Sequence, residues 1–154
     1  MIRTQREENK TLADDRILCR MSSDKPGPTV LFFGGIHGNE PAGVTALAEV
    51  TSALECQGAA LDKGSLIGIR GNLPALLQKE RFLDHDLNRI WSRSRLETVL
   101  AKEEHGRSSE EKELVLIYDL IQEVLQSYSP PFYFIDLHTT SSRTRPFITI
   151  NDSI

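Results

Sequence analysis

The chain has 154 residues, 39% of them hydrophobic and 26% charged, which suits one soluble globular domain with a buried core. A formal net charge of −4, with Lys and Arg spread along the chain, excludes the basic footprint of a nucleic-acid binder. No apolar run approaches membrane-spanning length, no signal-peptide pattern opens the chain, and Cys19 and Cys56 stand isolated, so a reduced, cytoplasmic setting is expected.

Residues 1–14 are polar and set apart from a domain expected over 15–154. Arg16–Met21 reads as a short strand, ended by the turn signal Asp24-Lys25-Pro26-Gly27-Pro28. Thr29–Phe33 is a near-continuous apolar run, the pattern of a strand buried on both faces, and it breaks at Gly34-Gly35. Pro41 suits the first turn of a helix, and Val44, Leu47, Val50 and Leu54 recur at helical spacing to about residue 56. Ser65–Arg70 is the next strand, and Gly71-Asn72-Leu73-Pro74 turns out of it. A long polar segment follows, including Arg81 to Trp91. Ser108 and Glu111 fit a capping box, and Leu114, Ile117, Tyr118, Ile121 and Leu125 line a helix that Pro130-Pro131 stops. Glutamates between 97 and 123 read as a solvated charged face. Phe132–Leu137 is predicted as another buried strand, and Phe147–Ile150 as one more.

Strands alternating with helices predict an α/β fold, with a mostly parallel or mixed sheet covered by helices on both faces. In such sheets functional groups collect beyond the carboxyl ends of the strands. Gly34-Gly35-Ile36-His37-Gly38-Asn39-Glu40-Pro41 lies at such an end. Across this glycine-rich turn, His37 and Glu40 can converge on one point, and an imidazole and a carboxylate are both suitable zinc ligands. A catalytic zinc with three protein ligands needs one more, and His138 follows directly on the strand Phe132–Leu137. The competing reading is a chance His-x-x-Glu and a hydrogen-bonded structural histidine. Asp136, on the same strand face as His138, is placed to hold a histidine ring. Asp86 reads as a supporting or structural residue, Asn72 as a possible pocket residue, and His85 and His105 as exposed.

Three segments in order, Gly34–Gly43, Asp86-Leu87-Asn88-Arg89-Ile90-Trp91 and Asp136-Leu137-His138-Thr139-Thr140-Ser141, resemble the succinylglutamate desuccinylase/aspartoacylase family, which is related to the zinc carboxypeptidases. The resemblance covers about residues 16–150. It implies a zinc hydrolase that removes the acyl group of an N-acyl amino acid, a small molecule bearing a carboxylate. It implies one zinc ion on His37, Glu40 and His138, Arg81 polarising the scissile carbonyl, and Asn88 and Arg89 binding the substrate carboxylate. A guanidinium fork suits a carboxylate or a developing oxyanion. The family's general base is a glutamate beyond the third ligand, and only sixteen residues follow His138, none of them a glutamate. The expectation is therefore a zinc-carboxypeptidase-like domain that is C-terminally incomplete, binding zinc but hydrolysing poorly or not at all. A peptidase acting on C-termini and a non-catalytic metal-binding module are the alternatives. Oligomeric state stays open.

Overall fold

The computed structural model describes residues 15–140, 145 and 147–150. The polar segment 1–14 lies outside them, as does Ser141. Among the described residues four strands form one mixed sheet: β1 (Ile17–Ser22), β2 (Thr29–Gly34), β3 (Ser65–Arg70) and β4 (Phe132–Leu137). Their spatial order is β1-β3-β2-β4. β2 runs parallel to β3 and to β4, whereas β1 is antiparallel to β3.

Alternation along the central strands supplies two faces. Leu31 and Phe33 of β2 and Ile67 and Ile69 of β3 meet α3 (Arg93–Leu100) through Val99, and α4 (Ser109–Ser127) through Leu114, Ile117, Leu120 and Val124. Burial of such side chains contributes roughly 1.5–3 kcal/mol each. The opposite face of β2, marked by Gly34 against Val44, takes α1 (Ala42–Cys56). Helices thus cover both faces, as the strand–helix alternation implied. The buried stripe of α1 is Gly43, Leu47 and Thr51, so Val50 faces outward despite its helical spacing. On α4 the stripe runs through Leu120 and Val124 and leaves Leu125 exposed.

Further expectations are corrected. Among the described residues β4 is an edge strand, with Tyr133, Phe134 and Ile135 exposed, because β2 pairs with only one of its sides and the helices centre on β2 and β3. Phe147–Ile150 forms no strand, since no described strand lies alongside to complete its ladder, and Phe147, Ile148 and Ile150 are exposed. The turn at Gly71–Pro74 opens a short helix, α2 (Leu73–Gln78): the Asn72 side chain accepts from the Ala75 N–H, and Pro74 sits where no N–H is needed.

The glutamates of α4 divide. Glu123 is solvated as expected, but Glu110, Glu111 and Glu113 are buried at the helix start, each holding donors from elsewhere in the chain. Glu113 takes the Arg16 guanidinium at 2.8 Å and the Leu73 N–H. Glu111 closes the capping box with Ser108 and pairs with Lys102 and Arg95. Carboxylates in a first turn are also favoured by the helix dipole.

Candidate metal centre

Parallel pairing of β2 with β4 places Gly34 opposite Leu137, so the segments that follow both strands leave the same edge of the sheet. His37 comes three residues after β2, and Glu40 just before α1. Gly35 adopts φ +74, a left-handed conformation that favours glycine, and redirects the chain out of the strand. Gly38 lets the loop press against α2, since an added Cβ would lie 2.0 Å from the Ala75 carbonyl carbon.

These segments bring His37, Glu40 and His138 together, with one donor atom of each within 4.8 Å of the others. His37 Nδ1 lies 3.3 Å from Glu40 Oε1, and His138 Nε2 lies 3.7 Å from Glu40 Oε2. Tetrahedral bonds of about 2.1 Å would put neighbouring donors about 3.4 Å apart, close to both separations, which run to the two different oxygens of Glu40. The rings meet edge to face at 4.6 Å.

The outward nitrogens are already engaged. His37 Nε2 is 2.9 Å from Asp86 Oδ1, and His138 Nδ1 is 3.0 Å from Asp136 Oδ2. Each aspartate can accept the ring N–H, which fixes the tautomer and leaves the inward nitrogen a free lone pair. His37 is only 1% exposed, and its inward Nδ1 makes no hydrogen bond among the described residues. A buried ring nitrogen that makes no hydrogen bond and faces a carboxylate is costly unless something else satisfies it, and a metal ion would do so. The donor set of two imidazoles and a carboxylate fits zinc.

Charge at the cluster agrees. Burial disfavours the Glu40 carboxylate, but the Thr139 hydroxyl and N–H donate to it, and with His138 and His37 nearby its pKa falls below the usual range. Asp86 is likewise low: burial opposes it, and the His37 ring, the Asn88 N–H and Arg81 outweigh burial. Asp136 is raised, burial being the larger effect there.

Arg81 reaches the rim of the cluster, with Nη1 3.2 Å from Glu40 Oε1 and Nη2 3.6 Å from Asp86 Oδ2. Its carbonyl accepts from the Gly38 N–H, tying the two loops together. Asn88 and Arg89 lie on a 3-10 turn, Leu87–Arg89, capped by Asp86. Both side chains are exposed and make no hydrogen bond or ion pair with a described residue. Asn72 is not a pocket residue; it is fully buried and donates to Glu110. His85 and His105 are exposed, as expected. Thr139 was missed as a site residue, although it adjoins His138 within a quoted motif. Glu110 was missed because nothing local distinguishes it from a surface glutamate.

A family model described as the succinylglutamate desuccinylase/aspartoacylase catalytic domain matches residues 26–151. A succinylglutamate desuccinylase of Photorhabdus laumondii is 32% identical over 111 residues, covering 72% of this chain and 33% of that protein. One from Burkholderia lata is 37% identical over 71 residues, covering 46% of this chain and 20% of its own length. Among solved structures, succinylglutamate desuccinylases of Vibrio parahaemolyticus and Chromobacterium violaceum superpose with TM-scores of 0.61 each, at 21% and 23% identity. They cover 77% and 74% of this chain, and the chain covers 37% and 33% of theirs, which establishes likeness of fold. The chain spans about a third of the length of these relatives or less. With the family model matching most of its residues, the chain belongs to the succinylglutamate desuccinylase/aspartoacylase family.

Proposed function

We propose that this chain carries the zinc centre of a deacylase that hydrolyses the amide bond of an N-acyl amino acid. The observation that carries this reading is the buried His37 Nδ1, which makes no hydrogen bond among the described residues and faces the Glu40 carboxylate at 3.3 Å while Asp86 and Asp136 back the two rings. His37, Glu40 and His138 would hold one zinc ion, which supplies Lewis acidity toward the amide carbonyl and lowers the pKa of a bound water.

The remaining roles belong to the chain's own side chains. Arg81, half exposed at the cluster's rim, has N–H donors free to meet the carbonyl oxygen as negative charge develops on it. Asn88 and Arg89, exposed two and three residues past Asp86, supply an amide and a guanidinium for the substrate carboxylate. Asp86 and Asp136 keep the imidazoles oriented. The free thiols Cys19 and Cys56 support a cytoplasmic, reducing setting.

Metal analysis of protein purified without chelator is expected to find near-stoichiometric zinc, falling sharply in His138→Ala. A metal-free parent protein would reject the centre. Side-by-side assays of N-succinylglutamate, N-acetylaspartate and a blocked dipeptide separate a deacylase from a peptidase. Because the chain covers about a third of its relatives' length, a metal-binding module without turnover is a second reading. Robust deacylation by the purified chain, lost when zinc is stripped, would reject that second reading.

A further inference from the structure

The loop between α2 and the 3-10 turn carries both Arg81 and Asp86, yet it has no regular secondary structure to hold it. Its ends are tied by the Gly38 N–H to the Arg81 carbonyl and by Asp86 to His37, and its middle is gathered on one buried side chain. Glu110, fully buried in the first turn of α4, accepts from three consecutive backbone N–H groups. Oε1 takes Leu83 at 2.7 Å, and Oε2 takes Asp84 at 2.9 Å and His85 at 3.1 Å. Oε1 also accepts from the Asn72 amide at 3.0 Å. The tie is reciprocal, because the Asp84 carboxylate accepts the Ser109 N–H at 2.8 Å. The next residue after this run is Asp86, whose carboxylate meets His37 Nε2.

We propose that Glu110 is a positioning residue of the metal centre, locking the backbone at 83–85 so that Asp86 is delivered to His37. This rests on the reading of His37, Glu40 and His138 as metal ligands. Glu110 makes no hydrogen bond to the ligands; it acts through Asp86. Three N–H groups converging on one carboxylate need four acceptor sites on two oxygens, counting Asn72. A glutamine can offer only one oxygen, so either orientation of its amide leaves at least one loop N–H facing an NH2 group. Glu111 is a matched comparator. It is equally buried one residue on and equally bonded, but its partners, Ser108, Lys102 and Arg95, include none of the residues that bond to the cluster.

The test measures zinc affinity by chelator competition and the visible spectrum of the cobalt-substituted chain, for the parent, E110Q and E111Q, beside melting curves without metal. E110Q is expected to weaken zinc binding measurably but by less than the roughly 10–100-fold that follows loss of Asp86, the direct outer partner of His37, and to alter the cobalt spectrum. E111Q is expected to lower the melting temperature while leaving both metal readouts at parental values. Parental zinc affinity in E110Q, or equal weakening in E111Q, overturns the proposal while leaving the metal centre standing. A parent chain that binds no metal overturns both. Should E110Q not fold, hydrogen exchange in the unmutated chain decides. Zinc is then expected to slow the amides of Leu83, Asp84 and His85 but not that of Ser108, because coupling between sites is reciprocal. No difference between these amides overturns the proposal.

Discussion

Two aspartates hold the two histidines, but in unequal surroundings. His37 is 1% exposed, whereas the His138 side chain is 32% exposed and can exchange Asp136 for water. Asp86→Asn is therefore expected to weaken zinc binding by roughly 10–100-fold, and Asp136→Asn by less, in a competition titration. Glu110 and Glu111 make a pH prediction. Burial opposes both charges, but backbone N–H groups and the Asn72 amide around Glu110, and Lys102, Ser108 and Arg95 around Glu111, hold both pKa values below the ordinary 4.5. A carboxyl depressed in the folded state adds stability that is fully present above its unfolded pKa and disappears as pH falls through the folded one. Denaturant midpoints should thus be flat with respect to these groups above about pH 5 and drop below about pH 4.5, less steeply in E111Q. A decline beginning near neutrality would contradict this origin.

Among the elements, the short Gly38 loop and the start of α4 bear the most on the site. Gly38→Ala would force a Cβ into the Ala75 carbonyl, so the loop or α2 must move. We expect a cost of about 1–3 kcal/mol in melting or denaturant experiments, together with weaker metal binding. Ser108→Ala removes the side-chain half of the capping box and should cost about 1 kcal/mol without disturbing zinc. The same elements show what a sequence can disclose. Strand ends, glycines and the three short motifs marked His37, Glu40 and His138, because those signals are local. The edge position of β4 was hidden, since Phe132–Leu137 has the apolar run of a central strand and only the pairing partners decide its place. The buried glutamates were hidden for a related reason. Glu110 and Glu113 take their donors from residues 25 to 97 positions away, so no window around α4 reveals them.

On the scale of the whole molecule, the sheet has an apolar flank. Tyr133, Phe134 and Ile135 on β4 present exposed hydrophobic surface at an edge with no described neighbour. Sedimentation of the purified chain should show association rising with concentration, reduced by Ile135→Lys. A monodisperse monomer at high concentration would contradict this. The pairing of β2 with β4 has a kinetic consequence as well. Thr29 meets Phe132 only after the chain between them has looped back, whereas β2 and β3 join across a much shorter span. Loop closure of this length delays a contact relative to nearer ones. His37 and Glu40 can therefore stand side by side in a half-assembled sheet, but His138 arrives only with β4. During folding, capture of a metal by all three residues would act as a clock, recording the moment at which the last strand docks.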